Sequence, residues 1–322
     1  MQIVNLSCGD QVAQCKSYLA TVVLPIVIID SEGIPQPIGT ASIVAVVDRQ
    51  ILILTAKHNI DHIRKVDQPY GDGTHPSMPD IFRRSLPNDY VTKNTQCYLV
   101  FPTKGECKYA AIHRAAYNPD FDIAIAGCVL PEGIDPPKPL AIDTDPPHIG
   151  ITGLATGYGD MTARAYAGED ENSTHDRWEF EGKLLAEHCQ VIEVSPHGST
   201  VLRSPCFQIN VPIHSGMSGG PVIHFLDHGT AAIYGLLTAD ESGNPSRPGE
   251  SNGARALASA LWISVSLSMP IERANRTTEE WTLLDLIRKG IVKNLGTVDF
   301  KLNRTRDGRI DVIPQVNNNA AE

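Results

Sequence analysis

The sequence predicts an all-β protein in two parts, followed by a small C-terminal extension. Three observations carry this. The chain is punctuated by 26 glycines and 23 prolines. Its apolar residues fall in short runs between those turn-formers. A proline-dense stretch divides the runs into two groups. At 322 residues the chain has room for two domains of ordinary size and an extension.

In chain order, strands are expected near Thr21–Ile29, Gly39–Val47, Ile51–Thr55, Gln96–Phe101 and Ile123–Val129, each an apolar run bounded by polar or turn-forming residues. Asp67–Asn88 is rich in Pro, Gly and Asp and reads as a surface insertion. Pro131, Pro136, Pro137, Pro139, Pro146 and Pro147 make a connector unsuited to continuing a sheet. A second set of strands is expected near Ile149–Thr156, Lys183–Val194, Thr200–Leu202, Cys206–Asn210, Pro221–Phe225, Ala231–Thr238 and Leu261–Ser266, with the polar stretch Gly168–Arg177 as a loop. Thr277 and Glu280 have capping-box spacing and open a helix to about Lys289, ended by Gly290. Its stripe of Trp281, Leu284, Ile287 and Ile291 is expected to pack on the second barrel. Val298, Phe300 and Leu302, the Asp307-Gly308 turn, and Ile310 and Val312 read as a hairpin, with disorder from Gln315 onward. The organisation expected is a barrel over residues 1–130, a connector over 131–148, a second barrel over 149–270 and an extension over 271–322.

The chemistry is concentrated in Gly216-Met217-Ser218-Gly219-Gly220-Pro221-Val222, where a serine sits in a glycine-flanked turn before an apolar strand. A sharp bend there would aim the N–H groups of Gly216 and Ser218 at one spot, where they would stabilise an oxyanion. A glycine-rich hairpin corner is the other reading of the same residues. Upstream, the apolar run Ile51–Thr55 delivers His58 to a strand end, and Asp122 stands at the mouth of the run Ile123–Ala126. Singly these are a strand-end histidine and a turn aspartate. Together with Ser218 they are a nucleophile, a general base and a carboxylate to orient it.

Thr55-Ala56-Lys57-His58, Asp122-Ile123-Ala124 and Gly216–Pro221 resemble the Thr-Ala-Ala-His, Asp-Ile-Ala and Gly-x-Ser-Gly-Gly-Pro motifs of the trypsin-like (chymotrypsin-fold) serine peptidases. They stand in that family's order of His, Asp, Ser. Weaker matches are Gly39-Thr40-Ala41-Ser42, Gly157-Tyr158-Gly159 and Ile233–Thr238, so the resemblance runs over roughly residues 20 to 270. It implies two six-stranded antiparallel β-barrels, a catalytic triad of His58, Asp122 and Ser218, and an oxyanion hole from the N–H groups of Gly216 and Ser218. It also implies hydrolysis of a polypeptide through an acyl-enzyme, with no cofactor. By the same resemblance the substrate is bound by Pro212, Ile213 and His214 on one side and by Thr238, Ala239 and Asp240 on the other. A peptide would add as a strand beside Leu237–Asp240. Pro212 stands where a carboxylate would select Lys or Arg, so a small or apolar side chain is expected. Asp240 would favour a basic group, and His214 an acidic one.

The remaining composition excludes several classes. The formal net charge is −10, without a long basic stripe, which argues against nucleic-acid binding. No run reaches the 18 apolar residues of a membrane span, and residues 1–20 lack the basic start and apolar core of a secretion signal. Seven cysteines, an odd number without paired spacing, do not make a disulfide framework. Asn59 and His214 occupy positions where the secreted members of the family place cysteine, so reduced thiols in a cytoplasmic compartment are expected. His58 and His62 have metal-ligand spacing, but Asn59 stands where a zinc peptidase carries Glu, so no metal is expected. Met217 replaces the aspartate that pairs with a new N-terminus in the secreted enzymes. The Gly216 turn is therefore set by packing, or by a protein partner docking at the tail hairpin Val298–Val312. The competing functions are an active serine endopeptidase, an inactive module of the same fold that binds protein, and an esterase using the same triad.

Overall fold

The computed structural model describes residues 17–30, 33–67, 96–103, 107–118, 120–166, 177–225, 231–240, 255–272, 278–304 and 310–315. The expected insertion beyond residue 67, the expected loop at 168–176 and the tail beyond Gln315 lie outside them.

Residues 17–22 are helical, and the Tyr18 hydroxyl donates to the Lys138 carbonyl at 3.1 Å, fastening this start of the described chain to the connector. The first barrel follows. It is made of β1 (Val23–Ile29), β2 (Pro35–Val47), β3 (Gln50–Thr55), β4 (Gln96–Pro102), β5 (Cys107–Tyr117) and β6 (Ala124–Val129). They close as a six-stranded ring in the order β1-β2-β3-β6-β5-β4, every pairing antiparallel. A closed ring leaves no edge strand to aggregate. β5 is an element the sequence reading lacked. Its Ala, Lys, His and Arg residues have weak strand preference, and it forms because β4 and β6 need a partner between them.

In the connector, β7 (Ala141–Ile142) adds a short parallel strand to β12 (Ala231–Asp240), so this proline-rich segment does join a sheet, at its edge. The second barrel consists of β8 (Thr152–Tyr166), β9 (Arg177–Ser195), β10 (Cys206–Ile209), β11 (Pro221–Phe225), β12 and β13 (Ala256–Ala260). These six strands close antiparallel through the β11–β12 pairing, with β7 outside the ring. The fold is thus all-β, with two six-stranded antiparallel barrels of the chymotrypsin type. Two expected strands are corrected here. Residues 200–202 carry no strand, and Leu261–Ser266 is a 3-10 helix. The strand of that region is the Ala-Leu-Ala-Ser-Ala run of β13, whose five residues are all buried. Its partner Gly235, opposite Ala260, has no room for a side chain, because a Cβ there would lie 2.4 Å from the Phe207 ring.

Apolar burial joins the two barrels. Along β12, Ile233 and Leu236 belong to the cluster that also holds the interior of the first barrel, whereas Tyr234 and Leu237 face the interior of the second. A strand buried on both faces reads as a continuous apolar run, as Ala231–Leu237 does.

In the extension, β14 (Ser268–Glu272) and β15 (Thr278–Thr282) form a hairpin, followed by a helix over Leu283–Arg288. The expected helix start at Thr277 is overturned: the N-cap is Thr282, in a capping box with Asp285. Trp281 and Glu280 lie instead in β15. Leu283 and Leu286 join the cluster shared with the first barrel, so the helix is not confined to the second. The expected hairpin is present as β16 (Asp299–Arg304) and β17 (Ile310–Gln315), with Phe300 stacked on Trp262 of the 3-10 helix at 6.5 Å. Gln315 closes β17 and is ordered strand.

Candidate active site

His58 is the second residue of a helix over Lys57–Asp67 that starts directly after β3. Asp122 precedes β6, which pairs with β3 from Thr55↔Ala124 onward. The pairing register therefore carries the histidine and the aspartate to the same end of adjacent strands. There the Asp122 carboxylate holds His58 twice. Oδ1 accepts from the His58 backbone N–H at 3.0 Å, and Oδ2 lies 2.9 Å from Nδ1 of the ring. A carboxylate receiving a first-turn N–H also faces the positive end of the helix dipole. The Asp122 side chain is 14% exposed and that of His58 43%, so the carboxylate is sheltered while the ring reaches the surface. Asp120 is exposed, and its backbone N–H is taken by Asn118.

Ser218 stands in the turn between β10 and β11. Gly216 has φ +94° and Gly219 φ +84°, a region that disfavours any side chain. A Cβ on Gly219 would also meet the Thr40 carbonyl at 2.3 Å. The turn is fixed by Met217 N–H to His214 O (3.0 Å), Gly219 N–H to Leu237 O (2.8 Å) and Gly220 N–H to Met217 O (2.8 Å). None of these bonds uses the N–H of Gly216 or Ser218, the two expected to form an oxyanion hole. Met217 is fully buried in the interior cluster of the second barrel. The Ser218 hydroxyl donates to the Thr238 carbonyl at 3.1 Å, and the Ser218 carbonyl accepts from Thr40 N–H (2.8 Å) and Asn59 Nδ2 (3.0 Å). Asn59 is next in the chain to His58, so the Ser218 turn of the second barrel is fastened to the start of the helix that carries His58.

The expected substrate-binding residues divide into two groups. Pro212 is half-buried and Ile213 is buried in the second barrel's interior cluster, so the Ile213 side chain supports this segment from behind. His214 is half-buried, with Nε2 3.3 Å from Glu187 Oε1. The Thr238 hydroxyl donates to Leu236 O at 3.3 Å and lies 3.2 Å from Ser259 Oγ. The pairing of β12 with β11 ends at Leu236↔Pro221, but with β13 it continues through Ala239↔Leu257 to Asp240↔Ala256. Thr238–Asp240 thus have one edge beyond the end of β11. The Asp240 side chain lies outside the described residues.

Three residues of this junction were not singled out for the site from the sequence: Thr40, Thr55 and Asn59, all buried. For Thr40 and Thr55 the available signal was a short polar side chain in an otherwise apolar run, where burial obliges each to find a hydrogen-bond partner; Asn59, in the polar stretch Lys57–Asp61, carries no such signal.

No family model and no curated protein matches the sequence. Among solved structures the chain is similar to one titled Rv3671c protease, inactive form, at 13% identity and TM-score 0.41, covering 81% of this chain and 93% of that one. It is also similar to Deg5, at 15% identity and TM-score 0.43, covering 73% of this chain and 87% of that one. These superpositions are too loose to place one side chain on another, and the residues above are assigned from their own geometry.

Proposed function

We propose that the chain is a serine endopeptidase in which Ser218 is the nucleophile, His58 the general base and Asp122 the group that orients it. The observation that carries this reading is the double hold of Asp122 on His58 at the junction where Ser218 sits in its glycine-bounded turn. With Asp122 as acceptor, Nδ1 carries the ring proton and Nε2 keeps its lone pair for the serine hydroxyl. Ser218 turns about its Cα–Cβ bond, leaves the Thr238 carbonyl and gives its proton to Nε2 as Oγ attacks the substrate carbonyl carbon. The N–H groups of Gly216 and Ser218 receive the developing negative charge. His58 then protonates the leaving amine, and water repeats the sequence to release the acyl group. The vacated Thr238 carbonyl and the edge of Thr238–Asp240 that runs beyond the end of β11 supply backbone partners for an extended peptide. This chemistry calls for no cofactor. A reducing, cytoplasmic setting is proposed separately, supported by the free thiols of Cys97, Cys107, Cys128, Cys189 and Cys206 among the described residues.

A fluorophosphonate probe tests this reading, since it reacts quickly only with an activated serine. The full-length protein is expected to label as expressed and to cleave a peptide library. Ser218→Ala and His58→Ala should each lose about a thousandfold or more in rate with unfolding unchanged. An unlabelled wild type points to the inactive binding module, and cleavage of esters without peptides points to the esterase.

A further inference from the structure

We propose that Thr40 and Asn59 form an uncharged clamp that holds the nucleophile turn in its working shape, making both of them positioning residues. The inference rests on reading Ser218 as the nucleophile. Thr40 is wholly buried and uses every polar group it has. Its N–H donates to Ser218 O at 2.8 Å. Its hydroxyl donates to Gly216 O at 2.8 Å and accepts the N–H of Tyr158, on β8, at 2.9 Å. Its carbonyl accepts from the Thr55 hydroxyl at 2.7 Å. Asn59, 1% exposed, donates through Nδ2 to Thr55 Oγ1 and to Ser218 O, both at 3.0 Å. The room for this amide comes from Gly39, where a Cβ would lie 2.2 Å from Asn59 Nδ2.

The consequence is for the peptide planes of the turn. The Gly216 carbonyl is pinned by Thr40 and the N–H of the same plane, that of Met217, by His214 O. The plane after Ser218 is pinned by its carbonyl on Thr40 and Asn59 and by Gly219 N–H on Leu237 O. Glycine at 216 would otherwise let its flanking planes turn at little cost. With both carbonyls fixed, the Ser218 N–H is held on the plane between them, and the Gly216 N–H on the plane that leads into the first, for the oxyanion. Met217 brings no carboxylate to this task. All the clamp's groups are neutral, so these contacts hold the turn without an ion pair.

The test measures inactivation by a small alkyl fluorophosphonate on the full-length protein, separating the maximal rate (kinact) from probe affinity (KI), alongside thermal unfolding. Thr40→Val and Asn59→Ala should each lower kinact about tenfold or more per folded molecule with KI nearly unchanged, since only the transition state uses the oxyanion donors. Thr40→Ser, which keeps the hydroxyl, should return to within about threefold of wild type. The pH midpoint of labelling should stay where it is in wild type, because no charge is removed. If Thr40→Val unfolds, Asn59→Ala and Thr40→Ala decide the matter. Folded hydroxyl-less or amide-less variants that label as fast as wild type overturn the clamp, as does a Thr40→Ser variant as slow as Thr40→Val. An unlabelled wild type instead fails the reading of Ser218, and the clamp with it.

Discussion

Each oxygen of the Asp122 carboxylate has its own partner in His58, one on the backbone and one on the ring. Asp122→Asn keeps the shape but offers an amide where the ring needs an acceptor, so it favours the wrong tautomer. Activity should fall about a thousandfold or more, and labelling by the fluorophosphonate with it. Asp120→Asn removes an exposed carboxylate that makes no bond to His58, and should label within about twofold of wild type, as surface changes usually do. Comparing the two variants decides which carboxylate orients the base, and a reversal would move that role to Asp120. The motif Asp120-Phe121-Asp122 holds both candidates. The distinction between them comes from the β3–β6 register, which puts position 122 beside the helix start.

Among the elements, the short helix Leu283–Arg288 depends most visibly on a local device. The Thr282 hydroxyl accepts from Asp285 N–H at 3.1 Å, and Asp285 Oδ2 accepts from Thr282 N–H at 2.9 Å. Thr282→Ala should cost about 1 kcal/mol, a fall of about 2 °C in the unfolding midpoint for a chain of this size. The hydroxyl of Thr282, followed by its backbone N–H and the charges of Arg288 and Lys289, holds the Asp285 carboxyl below its ordinary value of 3.8. A carboxyl with a lowered folded value stabilises fully above the unfolded value and loses that contribution as pH falls through the folded one. The Thr282→Ala penalty should therefore shrink below about pH 4, and unfolding of both proteins from pH 3 to 7 would show it. Equal penalties at both ends would remove the carboxylate from the cap. β13 teaches the opposite lesson: it has no strong local preference, and is a strand because β10 and β12 pair with it on either side.

At the scale of the molecule, burial governs the thiols and phenols. Burial pushes the thiols of Cys97 and Cys128 far up, and that of Cys189 up to about 12. It raises Tyr158 to about 12 as well. Groups whose folded values are raised contribute fully below their unfolded values, and that contribution fades as pH rises through the folded ones. Stability should hold to about pH 8 and decline above about pH 9, where unfolded thiols ionise and buried ones do not. A thiol reagent at neutral pH should leave Cys97, Cys128 and Cys189 unmodified until the protein unfolds. A reductant should not shift the unfolding midpoint, whereas a native disulfide would typically add about 2 to 4 kcal/mol. A midpoint that drops in reductant would overturn the free-thiol description.

Periodicity and turn chemistry are enough to read the all-β class, most strand positions and the tail hairpin, because short apolar runs and glycine-bounded turns are decided within a few residues. Tertiary structure alone decided the rest. β5 and β13 are strands by virtue of their neighbours. Leu261–Ser266 winds into a 3-10 helix although its composition suits a strand. The helix cap falls at Thr282 because the preceding residues are drawn into a hairpin with β14. The contacts of Thr40 and Asn59 are decided in the same way: their partners in the Gly216–Ser218 turn lie 176 and 159 residues away along the chain. A short polar side chain in an apolar run shows that a partner is needed, but which distant group supplies it is decided only once the two barrels have closed against each other.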